Sequence, residues 1–257
     1  MIIISSETND SKISLPLTVP RAPSEFEGST VASSSSSKLP PPRYIAKHPK
    51  TQITYEFQPQ TIPANSMIMR PPSFLRGEYP SYCISVNMNV FTPFSYITTV
   101  RRDRWDGEVV GDFEMGIVGA RKSSTVCIRE HECPIDDVLD CQTKMFRGGT
   151  TYFWKTKHGS ELDVVSLCWE EGAFSTSSTL SCFLGKDKAT VNLLAKFMPN
   201  NIHRRPGKPH SITRMDVTPK GHDYLDDIVM SILIVERMRT SPSVLKDLPV
   251  SMIKELF

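Results

Sequence analysis

Apolar and polar residues alternate over much of this chain, a pattern typical of half-buried β-strands. In residues 82–91, YCISVNMNVF, the apolar side chains that share one face are Tyr82, Ile84, Val86, Met88 and Val90. Residues 96–115 predict a β-hairpin with Asp106-Gly107 at its turn, because these residue types accept the positive backbone angles of a tight turn. The pattern therefore favours antiparallel strands joined by short turns.

Further strands are predicted at short intervals, at residues 124–130, 150–156, 162–169, 179–184, 189–197 and 211–219. A short helix is predicted between two of them, at residues 134–142. Pro134 suits a first helical position, and the carboxylates of Asp136 and Asp137 complement the helix dipole. Many short strands at this spacing indicate a β-sandwich or a β-barrel.

The stretch LDDIVMSILIVERMR breaks the alternation and predicts a helix over residues 224–239, with Asp223 as its N-cap. Such a helix is about 24 Å long, too short to span a bilayer comfortably. Its apolar residues point in nearly every direction around the axis, so it belongs in a core. The residues expected to be most deeply buried are Leu225, Ile228, Val229, Ile232, Leu233 and Val235. We therefore expect a mainly β fold, a strongly curved sheet or closed barrel around this helix.

Composition divides the chain into three parts. Residues 1–50 are rich in Ser, Pro and Thr and predict a disordered leader, because they offer too few apolar side chains for a core. Residues 51–241 form the predicted domain. Residues 242–257 predict a short amphipathic or docking tail, which could fold back on the domain or bind a partner.

Charge and cysteine content limit the function. Lys and Arg number 30 against 28 Asp and Glu, with six cysteines in the chain. This near balance gives no specific signal for nucleic acid. The cysteines are scattered singly, which indicates reduced intracellular thiols and no disulfide framework. No stretch reaches the roughly 18 apolar residues of a transmembrane helix.

The candidate chemistry is limited to two basic groups. The candidates for binding an anion or lipid are Arg101, Arg102, Arg104, Arg204, Arg205 and Lys208. Arginine offers bidentate donors to phosphate, and Trp105 beside the first group suits a membrane interface. The alternative is that both groups are solvated surface with local acidic partners. The sequence gives no catalytic motif, and we expect no metal or other cofactor.

An ordered set of segments resembles a fungal family of domains of unknown function that is grouped with the tubby C-terminal-like proteins. The segments are YEFQP, NSMIM, YCISV, ITTVRR, GEVVGDFE, RGGTTYFWK, GKDKATVNLLAKF and the terminal LDDIVMSILIVERMR. The chain departs from that family by having Gly148-Gly149 where an Asp-Gly is usual. The resemblance covers residues 52–241. It implies a closed antiparallel barrel of about 12 strands around a hydrophobic C-terminal helix, as in the LURP-one and scramblase groups.

The resemblance does not transfer a function, because this fold hosts several. We expect a non-enzymatic binding or regulatory module, with anionic phospholipid surfaces as the candidate ligand. The alternatives are a protein-interaction adaptor that uses the two termini, and an enzyme or scramblase-like lipid-handling protein. We expect a cytoplasmic location, with peripheral attachment to the inner membrane face or a nuclear location as alternatives.

Overall fold

The computed structural model describes residues 49–92, 95–116, 124–143, 149–157, 164–171, 179–186, 189–200 and 212–240. The predicted leader, apart from its last two residues, and the predicted tail lie outside these ranges. So do the candidate residues Arg204, Arg205 and Lys208. The expectations for these segments stay predictions.

Thirteen strands are found in the described residues. In chain order they are β1 (Ile53–Gln60), β2 (Ser66–Arg70), β3 (Tyr82–Met88), β4 (Ser95–Arg102), β5 (Val109–Gly116), β6 (Thr125–Ile128), β7 (His131–Pro134), β8 (Leu139–Thr143), β9 (Thr150–Lys157), β10 (Val164–Glu171), β11 (Leu180–Leu184), β12 (Leu193–Met198) and β13 (Arg214–Val217). The α-helices are α1 (Ile135–Val138) and α2 (Leu225–Thr240), and short 3-10 turns lie at Ser73–Leu75, Thr190–Asn192 and Lys220–Tyr224. The prediction of a mainly β fold with a C-terminal helix is confirmed.

The strands form one antiparallel sheet in the order β7-β6-β5-β4-β3-β2-β1-β13-β12-β11-β10-β9-β8. Most neighbours in the sheet are also neighbours in the chain. The exception is β1, which pairs with β13 in a register that sets Ile53 opposite Val217. The first and last strands therefore meet at the middle of the sheet, and β7 and β8 stand at its two edges.

Alternation along strands such as β1 gives the sheet one apolar face. In β1, Ile53, Tyr55 and Phe57 are buried, whereas the residues between them are partly exposed. This follows from the two-residue period of a strand, which sends successive side chains to opposite faces. In β3, however, the apolar face extends beyond the core, because Met88 and the following Val90 are exposed.

Helix α2 fills the space on the apolar face. Ile228, Val229, Ile232 and Val235 have no exposed surface, and Leu225 is also buried. Leu233 differs from the expectation, because it is only partly buried and packs at the margin of the core. The fully buried positions on the helix also include Met230 and Ile234. No helix in the described ranges is both long and apolar enough to cross a membrane.

Strands from both halves of the sheet contact this helix. In β5, a Cβ placed on Gly111 would stand 2.6 Å from the carbonyl oxygen of Cys127 and 2.9 Å from Met230 Cε, so β5 lies directly against the helix at this glycine. In β10, the indole Nε1 of Trp169 donates a hydrogen bond of 2.9 Å to Ser231 Oγ. Since β5 and β10 are far apart in the strand order, the sheet must curve around α2.

The predicted helix at residues 134–142 is largely wrong. Helix α1 has a single turn, Ile135–Val138, and β8 begins at Leu139. Residues Leu139–Thr143 pair with β9 along their whole length, so a pairing that is distant in the sequence overrides the local helix signals. Strand β7, just before α1, was not predicted.

The hairpin predicted over residues 96–115 is confirmed, but its turn is longer than expected. Strand β4 ends at Arg102 and β5 begins at Val109, and the residue with positive φ is Asp103, at 60°. Gly107 is required for a different reason. A Cβ at this position would lie 2.0 Å from the carbonyl oxygen of Arg102.

Candidate functional site

The N-terminal end of α2 carries two carboxylates that point to different partners. Asp227 is 1% exposed and accepts hydrogen bonds from Arg129 Nη2 at 3.0 Å, from Trp154 Nε1 at 3.3 Å and from Thr156 Oγ1. Burial alone would raise the pKa of Asp227. The hydrogen bonds from Thr156 and Arg129 outweigh that effect and hold the pKa below its ordinary value.

Asp226 is bound from the other side. Arg102 Nη2 lies 2.7 Å from Asp226 Oδ2, and the Tyr82 hydroxyl donates a hydrogen bond of 2.7 Å to Oδ1. Burial raises the pKa of Tyr82 well above its ordinary value, and the charge of Asp226 adds to this rise. The sequence pattern predicts that Asp226 and Asp227 complement the helix dipole, but it does not predict their arginine partners. Asp223, the predicted N-cap, lies within the 3-10 turn Lys220–Tyr224.

A cavity of about 450 Å³ opens beside these ion pairs. Its wall includes His222, whose ring contacts the rings of Tyr55 and Tyr79 and whose Nδ1 donates to the carbonyl oxygen of Thr218 at 2.9 Å. The position of His222 after Gly221 predicts a solvated loop histidine, but His222 is half-buried. Since Asp226 and Asp227 are bound by arginines, these ion pairs attach this end of the helix to the sheet.

Each described arginine of the first predicted basic group has a partner within its own domain. Arg101 Nη1 donates to the carbonyl oxygen of Gly107 at 3.1 Å, and Arg104 Nε lies 3.3 Å from Asp106 Oδ1. Arg102 is paired with Asp226, as described above. The sequence pattern predicts Arg102 and Arg104 on one strand face, but this is wrong, because β4 ends at Arg102 and Arg104 lies in the turn.

A second cavity, of about 330 Å³, lies on the outer face of the sheet and gathers basic side chains that were not predicted. Arg70 comes from the end of β2, Arg76 from the β2–β3 connection and Arg214 from the start of β13. The carboxylate in the lining is that of Glu56, whose Oε1 lies 3.4 Å from Arg214 Nη2. Within the described part of the chain, Arg70 and Arg76 form no ion pair. We call this cavity the basic groove.

An exposed aromatic side chain stands beside the basic groove. Phe74 is 82% exposed in the 3-10 turn Ser73–Leu75, which lies between Arg70 and Arg76 in the chain. The turn is fixed by a hydrogen bond of 2.9 Å from Leu75 N to the carbonyl oxygen of Pro72, and Leu75 packs against the core. The local signal, RPPSFLRG at residues 70–77, could have been found in the sequence. The approach of Arg214 to this segment could not have been found in the sequence, because it depends on the β1–β13 pairing.

These features define a class of protein: a mainly β domain whose curved antiparallel sheet packs on a C-terminal helix and carries a basic groove on its outer face. The chain belongs to the family of unknown function DUF6593, whose model matches residues 78–241, nearly two thirds of its length. Comparison with curated proteins and with solved structures gives no match.

Proposed function

We propose that this chain is a non-enzymatic binding module that attaches to anionic phospholipid surfaces through the basic groove and Phe74. The observation that carries the proposal is the convergence of three arginines beside a phenylalanine that is 82% exposed. Arginine binds phosphate groups through two parallel hydrogen bonds. An aromatic ring held out beside them can enter the boundary between headgroups and acyl chains.

The expected strength of attachment is modest. A basic side chain near an anionic membrane surface contributes about 1 kcal/mol, and burying a phenylalanine about 1.5–3 kcal/mol. Glu56 offsets part of this gain, because it neutralises Arg214. Binding should therefore be reversible and should weaken as salt screens the surface charges.

The proposal of a non-enzymatic role is supported by the chemistry of the larger cavity. Its most deeply buried carboxylate, Asp227, is already bound by Arg129, Thr156 and Trp154. A general acid or base needs a free position from which to exchange a proton with a substrate. Asp227 and Asp226 therefore fit structural roles better than catalytic ones.

We further propose that the sheet closes into the tubby-like barrel that the sequence resemblance implies. A flat sheet of thirteen strands would be about 58 Å wide at about 4.8 Å per strand. The two edge strands are nevertheless joined by the four residues of α1, so Pro134 and Leu139 lie within about 19 Å of each other. This short connection supports closure around α2.

Cosedimentation with vesicles tests the membrane proposal. The chain should bind vesicles of phosphatidylcholine with phosphatidylserine or phosphoinositide, and should not bind phosphatidylcholine alone. The double variant Arg70→Ala, Arg76→Ala should bind roughly thirtyfold more weakly, since it loses two contributions of about 1 kcal/mol. Phe74→Ala should weaken binding to both kinds of anionic vesicle.

The matched control is Arg101→Ala, Arg104→Ala, which also removes two positive charges from the surface. These two arginines already have partners in their own domain, so the control should bind almost as well as the unchanged chain. The proposal is wrong if no binding occurs at low salt. It is also wrong if the control weakens binding as much as the groove variant.

A further inference from the structure

A group of apolar side chains is exposed at one end of the sheet, away from the basic groove. Ile62 in the β1–β2 turn is 85% exposed, and Phe91 after β3 is 92% exposed. Met88 and Val90 beside Phe91 are also exposed. We call these four residues the apolar end patch. Strand β2 separates the patch from the groove, because it runs from the Ile62 turn to Arg70.

The backbone holds the patch in place. Val86 N donates a hydrogen bond of 2.9 Å to the carbonyl oxygen of Asn65, which ties the β1–β2 turn to β3. The side chain of Asn89 accepts a hydrogen bond of 2.9 Å from Phe91 N and donates one of 2.9 Å to Glu114. Phe91 is therefore presented by an ordered turn. Exposing fixed apolar side chains is unfavourable unless something covers them.

Helix α2 ends next to this patch. The guanidinium of Arg237, in its last turn, lies 5.4 Å from the centre of the Tyr96 ring. Tyr96 stands opposite Met88 in the β3–β4 register. The chain leaves α2 at Thr240 and continues for residues 241–257, with the sequence SPSVLKDLPVSMIKELF. The apolar residues of this segment are Val244, Leu245, Leu248, Val250, Met252, Ile253, Leu256 and Phe257.

We propose that the apolar end patch is the docking surface for residues 242–257 of the same chain. An extended chain advances about 3.3 Å per residue, so Leu245 and Leu248 are within about 30 Å of Thr240 and reach the patch easily. Attachment to α2 keeps the segment at an effective concentration in the millimolar range, which favours it over a second molecule. The end of α2 at Thr240 therefore favours residues 242–257 as the segment that covers the patch.

Photocrosslinking in the full chain tests this inference. p-Benzoylphenylalanine in place of Phe91 should crosslink to residues 242–257 within a monomer, as mapped by mass spectrometry. The double variant Leu245→Asp, Leu248→Asp should lower the yield at least about tenfold, because both substitutions remove apolar contacts with the patch. The neighbouring change Lys246→Ser should leave the yield nearly unchanged.

The control places the same photocrosslinking residue at Phe74, the exposed phenylalanine beside the basic groove. It should give little crosslinking to residues 242–257. Three outcomes would overturn the inference: no crosslink from position 91 into that segment, an equal yield from position 74, or a product with the mass of a dimer. None of them bears on vesicle binding, which depends on the groove.

Discussion

At the scale of single residues, Asp226 and Asp227 fix how α2 is rotated about its axis. Neighbouring helical residues point about 100° apart. One carboxylate meets Arg102 at the end of β4, and the other meets Arg129 in the turn after β6. Apolar packing alone would leave this rotation poorly defined, because the helix is apolar on nearly all sides. The two ion pairs select one orientation.

We predict that Asp227→Asn destabilises the domain by about 2–3 kcal/mol, because it leaves Arg129, Thr156 and Trp154 without their charged acceptor. Asp226→Asn should cost less, since Asp226 is partly exposed and water can replace its contacts. Urea unfolding of both variants measures the difference. Equal losses would show that burial does not set the strength of the two ion pairs.

The stability of Asp227→Asn should depend on pH differently from that of the unchanged chain. Because the pKa of Asp227 is lowered in the folded state, its contribution to the free energy of unfolding is complete above the ordinary aspartate pKa of about 4. The contribution is lost as the pH falls from about 4 through the lower folded-state pKa. The unchanged chain should therefore lose more stability than Asp227→Asn over this acidic range.

At the scale of elements, α2 is the part on which the others pack. It is a mostly apolar helix whose contacts come from β3, β4, β5, β9 and β10. Ile232 lies at its centre without exposed surface. A charge at this position would have no partner among the surrounding apolar side chains, and an unpaired buried charge is highly unfavourable.

We predict that Ile232→Asp does not give a cooperatively folded domain. The control is Val191→Asp, which introduces the same charge in place of a branched aliphatic side chain that is exposed. This variant should fold, and its free energy of unfolding should lie within about 0.5 kcal/mol of that of the unchanged chain. Circular dichroism during thermal unfolding distinguishes the two. A soluble Ile232→Asp variant with a sharp transition would contradict a core built on α2.

These elements also show how far the sequence can be read. Helix α2 and most strands follow from local periodicity, because each has an apolar pattern of its own. Strand β8 does not, since its residues become a strand only by pairing with β9. The basic groove was missed for a similar reason. Arg214 approaches Arg70 only after β13 pairs with β1 and β1 with β2.

At the scale of the whole molecule, the family match and the sheet have different boundaries. The match begins at Glu78, after β1 and β2. These two strands lie between β3 and β13 in the middle of the sheet. Without them the sheet would split into two parts with unpaired edges, and the buried side chains of Tyr55, Phe57 and Met69 would be missing from the core.

We predict that a fragment of residues 49–257 folds cooperatively, whereas a fragment of residues 78–257 does not. The longer fragment keeps all thirteen described strands, and the shorter one lacks β1 and β2. Hydrogen exchange measures this directly, because protected amides in β3 and β13 require their partners in β2 and β1. Protection of both strands in the shorter fragment would contradict the prediction.

The pairing of β1 with β13 also has a consequence during synthesis of the chain on the ribosome. Thr54 and Asp216, which share a hydrogen bond across these strands, are 162 positions apart. At about 5–20 residues per second, β1 leaves the ribosome on the order of 10 s before its partner. During that interval Tyr55 and Phe57 lack the core that later buries them. The nascent chain thus offers an early apolar strand that chaperones can bind until translation is nearly complete.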